Sequence, residues 1–325
     1  MLPEGKNFVR ITGYLKDDEL KLGTSKNGDE NVSGTLTVAL DDGQEFRIWF
    51  YSNRYKKPVP GEAKREEGKP YKNLCKLLPE KVTTLNSLLE SNPNAPIENL
   101  RNAATKVRCI AKFEERFFKG NDDAVHSQAE VRGTSADIIT DKFEPGTYFK
   151  VTGYVDKIDT EKTKDGDETG RAVLDLLLPT YSGSVHSIRF VSKTPEIGTG
   201  MLDMLQKGET YELEGELCRL EIVSEQKETP SRGGFGQKPV QAPTTRFVNE
   251  RQILYGTGVA LEGDDKMELE DVKQAKVLRQ EAMDRALEGT NNSSRPAQQS
   301  ASSGGFGAKP KITQEEEKEY QDFNF

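Results

Sequence analysis

A chain of 325 residues with 46 lysines and arginines against 54 aspartates and glutamates carries a formal charge of −8, and 31% of its residues are charged. Its mean hydropathy of −0.73 and the absence of any run of about 18 apolar residues speak against a membrane span, and Met1-Leu2-Pro3-Glu4-Gly5-Lys6 lacks the apolar stretch of a signal peptide, so a cytoplasmic protein is expected. Cys75, Cys109 and Cys218, with only His126 and His186 beside them, form no CxxC or HxxxH cluster; neither a disulfide framework, nor a metal site, nor a cofactor is expected.

In chain order, alternation of apolar and polar residues predicts a long first strand over 8–22, a turn at Asn27-Gly28, a second strand over 32–40, a turn at Asp41-Asp42-Gly43 and a third strand over 45–52. A polar insertion follows at 54–77, then a helix near 80–91, a strand at 104–113, a loop at 114–124 and a last strand near 125–139. The chain then repeats itself. Arg10, Ile11, Thr12, Gly13 and Tyr14 match Lys150, Val151, Thr152, Gly153 and Tyr154 at an offset of 140, and Ile48-Trp49-Phe50-Tyr51-Ser52 returns as Ile188-Arg189-Phe190-Val191-Ser192. A unit this long is a whole domain present twice, not a solenoid repeat of roughly 20–50 residues.

The second copy reads as strands near 148–160, 171–178, 185–192, 209–223 and 245–256 with a short helix at 199–206. The order strand, strand, strand, helix, strand, strand resembles the OB-fold, a five-stranded Greek-key barrel. The expected fold is therefore mostly β: two tandem OB-fold barrels at 1–142 and 143–262, followed by a helix and a disordered acidic tail. The helix spans 263–288, with Leu269, Val272, Ala275, Leu278, Ala282 and Ala286 on one face that is expected to pack against the preceding barrel. Residues 289–311, rich in Ser, Gly, Asn and Gln, read as a flexible linker to an acidic aromatic tip at 312–325.

Period-2 alternation also sorts candidate binding residues from core. Phe46, Ile48 and Phe50 share one face of their strand, leaving Arg47, Trp49 and Tyr51 to point outward. Aromatic planes beside a cation suit an unstacked single strand, each base gaining roughly 1–3 kcal/mol from stacking. The alternative is that Trp49 packs under the 54–77 insertion. On the first strand of each copy, Arg10, Thr12 and Tyr14, and their equivalents Lys150, Thr152 and Tyr154, share a second face; the alternative there is that both tyrosines cap a barrel end. Arg189 replaces Trp49 in the second copy.

Although the net charge is negative, the insertion is basic. Arg54, Lys56, Lys57, Lys64, Arg65, Lys69, Lys72 and Lys76 oppose Glu62, Glu66 and Glu67 there, a local +5, with Tyr55 and Tyr71 interleaved. The loop before the last strand carries Arg116-Phe117-Phe118-Lys119 in one copy and Arg232-Gly233-Gly234-Phe235 in the other, and a related Gly-Gly-Phe-Gly returns at 304–307. No GxxxxGK[ST], GxSxG or HExxH is present, so binding is expected rather than catalysis.

A two-barrel body, a Gly/Ser/Gln linker and an acidic tip closing on a terminal Phe resemble single-stranded DNA-binding proteins of the replication type, bacterial and phage members above all. That resemblance implies sequence-independent coating of single-stranded DNA during replication, recombination and repair. It also implies recruitment of replication or recombination proteins by Glu315, Glu316, Glu317, Glu319, Asp322, Phe323 and Phe325. The tip departs from the common bacterial one in having no penultimate proline and fewer consecutive aspartates, and the two barrels lie in one chain; a bacteriophage source, acting in the host cytoplasm, is what this architecture implies. A tandem OB-fold protein-interaction adaptor, or a binder of single-stranded RNA, stays open as an alternative.

Overall fold

The computed structural model describes residues 2–25, 28–55, 66–120, 122–140, 143–163, 165–224 and 244–288. The first copy of the repeat contains β1 (Asn7–Asp18), β2 (Lys21–Thr24), β3 (Glu30–Ala39), β4 (Glu45–Asn53), three short helices α1 (Lys69–Leu74), α2 (Leu85–Ser91) and α3 (Ile97–Ala103), β5 (Lys106–Lys119) and β6 (Val125–Ile138). The second contains β7 (Gly146–Lys162), β8 (Glu168–Pro179), β9 (Val185–Ser192), α4 (Pro195–Met204), β10 (Thr210–Ser224) and β11 (Thr244–Gly256), and α5 (Leu269–Glu288) follows.

Strand pairing closes each copy into the same barrel. β1 pairs antiparallel with β3 and β5, β3 with β4, β5 with β6, and the circuit closes by a parallel contact of β4 with β6. β7 to β11 repeat that circuit strand for strand, parallel β9–β11 contact included. This is the five-stranded Greek-key barrel of the OB-fold. Bulges at Leu15/Asp17 and Val155/Lys157, equivalent positions under the 140-residue offset, bend both first strands so that each can pair on two sides. Gly28 and Gly166, at φ +81° and +89°, make the left-handed turns of the two first hairpins.

The barrels share one sheet because β1 also pairs antiparallel with β7. Val9 faces Phe149, its own equivalent in the repeat, and the pairs Phe8–Lys150 and Arg10–Tyr148 mirror each other about that centre. The junction is thus a local two-fold contact between two copies of one fold, the isologous arrangement of a symmetric dimer held in a single chain. Behind it the cores fuse: Phe113 of the first barrel meets Phe149 and Phe190 of the second with ring centroids 5.5 and 5.4 Å apart. Asn7 binds both backbone groups of Phe113, its Nδ2 donating to the carbonyl at 2.8 Å and its Oδ1 accepting the amide at 2.9 Å.

Several sequence expectations change. The strand expected over 8–22 breaks at Glu19-Leu20, where Leu20 turns into the core. The basic insertion contains helix α1 within its described part, with Tyr71, Leu74 and Leu77 buried. The single helix expected near 80–91 is a 3-10 turn at 79–81 followed by α2, and α3 was not foreseen. Residues 116–119 are strand, not loop, because β5 and β6 run on as a long hairpin beyond the barrel. The expected linker and tip lie outside the described residues.

Helix α5 starts at Leu269, after a 3-10 turn at Gly263–Asp265. Val272 and Ala275, with Met267 just before the helix, pack on Tyr154, Leu177 and Val185 of the second barrel, while Leu269 and Leu278 stay exposed. One turn on, the helix reaches the first barrel. Arg279 Nη2 and Nε donate to the two oxygens of Glu115 on β5 at 2.5 and 2.8 Å, and Glu115 Oε2 also accepts the Ser187 amide of β9 at 3.0 Å. That buried carboxylate therefore joins both barrels and the helix.

Removing one member of a buried ion pair strands its partner, at a cost of about 3–5 kcal/mol. Glu115→Ala is expected to lose about that much in denaturant unfolding, with Arg279 and the Ser187 amide left unpaired. A second measurement concerns Asp18, whose Oδ1 accepts the Leu20 amide at 2.8 Å while Oδ2 is buried without a partner. Burial pushes its pKa up to about 6. Since the folded value lies above the unfolded one, ionisation penalises the fold: the penalty grows from about pH 4 and is complete above the folded pKa. Asp18→Asn should therefore melt higher than the parent at pH 7, the gap closing as the pH falls to about 4.

Candidate nucleic-acid interface

The apolar residues of β4 fill the barrel, Phe46, Ile48 and Phe50 each being at most 5% exposed, which forces Arg47, Trp49 and Tyr51 outward. Trp49 and Tyr51 are 42% and 40% exposed, and their rings lie 7° from parallel with centroids 6.1 Å apart. The parallel register of β4 with β6 sets Arg132 opposite Trp49, and its guanidinium sits 4.7 Å from the indole centroid. Arg132 Nη1 also donates to Glu114 at 3.2 Å. Arg47 pairs with Glu19 at 2.8 Å, both side chains largely in solvent.

Arg47, Trp49 and Arg132 line a groove of about 750 Å³ between the barrels. Its first-barrel wall comes from β4, the extended β5–β6 hairpin and Thr35; its far wall is Leu217, Asn249 and Arg251 of the second barrel. Arg116, 3.6 Å from Glu130, projects from the hairpin with 70% of its side chain exposed. Four arginines therefore converge on one groove beside the Trp49–Tyr51 pair, and exposed ion pairs such as Arg47–Glu19 are weak enough to exchange for a phosphate. Arg132, Gln128, Asn249 and Arg251 were not singled out from sequence. The usable signal for Arg132 was the parallel contact of third and fifth strands that the fold imposes; for Arg251 none exists short of the packed junction.

Other expected binding residues lie elsewhere. Tyr14 is buried, edge-on to Phe143 at 4.9 Å, in a cluster with Leu85, Leu100 and Ala104 that closes one barrel end. Burial, then its hydrogen bond with Asp41, raises the Tyr14 pKa. Tyr154 is buried beneath α5. The outward face expected for both tyrosines is corrected: helices that cover the barrel ends bury them. Tyr71 is likewise core; burial and a hydrogen bond with Cys75 push its phenol up to about 12.

Lys150 donates to Glu212 and Glu214 at 2.5 and 2.7 Å, contacts that raise its pKa, and Arg189 is clasped by Asp175 at 2.9 Å. Arg54, stacked 5.4 Å over Tyr55, bonds Glu30 and Glu67, and Lys72 also pairs with Glu67, so this part of the insertion is balanced charge; Lys69 is exposed nearby. Arg10 lies over Tyr148 at 5.3 Å beside a separate polar depression with Arg108. Phe117 lies under Arg279 and the half-exposed Phe118 stacks on His126, with Lys119 held by Asp123. Lys56, Lys57, Lys64, Arg65, Arg232, Phe235 and the tip residues fall outside the described residues. Among the described residues no cluster of three or more His, Cys, Asp or Glu could hold a metal, and no helix is long and apolar enough to cross a membrane.

Tandem OB-fold barrels with an aromatic and arginine-lined groove between them define the class of this chain. The sequence model of the YorF family matches residues 6–289, and the chain belongs to that family. A search of curated proteins finds no match. Among solved structures, a deletion variant of the single-stranded DNA-binding protein from Thermus aquaticus is similar at 16% identity and a TM-score of 0.41, over 80% of this chain and 97% of that one. The wild-type Thermus aquaticus protein is similar at 17% identity and a TM-score of 0.36, over 74% and 97%. Likenesses of this size carry no argument; the fold assigned above rests on its own strand pairings.

The two kinds of aromatic residue separate in a stability measurement. Tyr14→Ala should cost about 3 kcal/mol or more in chemical unfolding, as for other buried aromatics, and Trp49→Ala less than about 1 kcal/mol.

Proposed function

We propose that this chain binds single-stranded DNA without regard to sequence, and that the groove beside Trp49 is where it does so. The observation that carries this reading is the exposed, parallel Trp49–Tyr51 pair set against Arg47, Arg116 and Arg132. Two large, partly exposed aromatic planes are suited to stacking bases, and guanidinium groups beside them suit the phosphates between those bases. Every base offers a π-face, so stacking of this kind tolerates any sequence. The protein acts by binding, without catalysis, and the first barrel is the stronger partner, since Arg189 and Val191 stand where it has Trp49 and Tyr51.

By the same reading the chain coats exposed strands during replication, recombination and repair in a phage-infected or bacterial cytoplasm. The acidic tip, Glu315 to Phe325, serves as the handle for partner proteins and competes with DNA for the basic groove through its high effective concentration.

The chain has one tryptophan, so its own fluorescence reports on the site. Oligo-dT is expected to quench Trp49, with affinity falling steeply as salt rises through release of counterions. Trp49→Ala, followed by anisotropy of a labelled oligo-dT, should weaken binding about 10- to 100-fold, the worth of one stacked base. Unchanged affinity in that variant, or no binding of oligo-dT at low salt, overturns the reading; a matched oligo-U bound more tightly would redirect it to RNA. Deleting residues 312–325 should tighten DNA binding, and equal affinity would remove the competing role of the tip.

A further inference from the structure

Arg251 occupies a position that the duplication makes unusual. In the first barrel the parallel contact of β4 with β6 sets Gly133 beside Phe50, and a Cβ there would stand 2.2 Å from the Phe50 ring. In the second barrel Gln252 is opposite Val191, so Arg251 falls beside Phe190, the equivalent of Phe50. Where one copy tolerates only a hydrogen atom, the other has a guanidinium. That side chain leaves its own barrel and lies between the two, Nη2 donating to the Ala129 carbonyl of β6 at 3.0 Å and Nη1 to the Arg189 carbonyl at a long 3.5 Å. Its guanidinium carbon is 5.8 Å from the centroid of Phe113.

Among the described residues no acid balances the charge of Arg251. The residue is 7% exposed, its Nε is buried without a hydrogen-bond partner, and no carboxylate pairs with it among the described residues. Burial alone pulls its pKa down to about 10, so it remains a cation at neutral pH. An isolated buried charge is costly unless a counter-charge arrives. Glu130, the acid of the same groove, is turned to Arg116. The open space in front of Arg251 is the groove itself, whose about 750 Å³ admits a nucleotide-sized group.

We propose that a backbone phosphate of the bound strand enters the groove between the barrels as the counter-ion of Arg251, so that one strand passes from the Trp49 platform onto the second barrel. This deepens the strand-binding reading and rests on it. The guanidinium fork is suited to two phosphate oxygens, and Arg116 and Arg132 flank the same path. The two barrels then form a single site whose midpoint is the junction, in place of two sites side by side.

The test uses the full chain, oligo-dT and Trp49 fluorescence across a salt series. Arg251→Gln is expected to bind about tenfold more weakly and to flatten the dependence of log affinity on log salt by about one unit, the loss of one phosphate contact. Arg251→Lys should keep the slope of the parent. If the parent is quenched and Arg251→Gln matches it in affinity and slope, the inference is overturned while strand binding stands; if the parent is never quenched, strand binding itself falls. Should Arg251→Gln fail to fold, the parent labelled at its arginine nitrogens decides. The protected Nε–H signal of Arg251 must move when oligo-dT is added, and a signal that stays in place while Trp49 is quenched overturns the proposal.

Discussion

The antiparallel pairing of β1 with β7 is the contact on which the rest of the molecule depends. It joins the first strands of the two copies at their own equivalent residues, Val9 and Phe149, and so fixes the barrels as a symmetric pair. Everything that spans the junction follows from that alignment. Phe113, Phe149 and Phe190 meet behind it in one core, the extended β5–β6 hairpin comes alongside β10 and β11, and the groove opens between them. Arg219 of β10 adds a tie from the other side, its amide donating to Gln44 and its Nη1 to the Glu45 carbonyl. A sheet shared across a domain boundary replaces a hinge by a set of backbone hydrogen bonds, and α5, pinned to both barrels through Arg279 and Glu115, closes the arrangement.

Symmetry of the scaffold does not make the surfaces symmetric. Core-facing positions such as Ile48 and Ile188, or Phe50 and Phe190, keep their residue in both copies, whereas positions such as Trp49 against Arg189 and Tyr51 against Val191 diverge. The most one-sided difference faces inward, at Gly133 and Arg251, where one barrel is sealed by a ring and the other sends a charge into the space between them. Duplication supplied two closed barrels, and the groove owes its chemistry to positions where the copies ceased to match.

Much of this was legible in the residues. The 140-residue offset predicted two barrels, and alternation along 46–51 assigned Phe46, Ile48 and Phe50 to the core and Trp49 to the surface, because a half-buried strand has only two faces. Tyr14 and Tyr154 show where such reasoning stops. Their strand has two faces as well, but a face that leaves the barrel is not exposed if α2, α3 or α5 lies over it, and those helices come from far along the chain. Charge misled in a similar way: Lys150, Arg189 and Arg54 are basic in sequence and each is answered by glutamate or aspartate in the fold. Arg251 gave no sign at all, since its burial depends on the other barrel being in place.

The order of synthesis gives the β1–β7 contact another meaning. A first copy emerging from the ribosome can close its own barrel as soon as β6 is made, yet the second edge of β1, residues 7–12, has no mate until 146–151 follow. Throughout that interval the chain displays an unpaired strand edge whose natural complement is its own counterpart in the repeat. Two nascent chains on one messenger could satisfy each other at that edge, β1 against β1, in the symmetry that the finished molecule uses internally. The tethered second copy has the advantage of proximity at that edge, and the speed with which it is delivered sets how long the edge stays open.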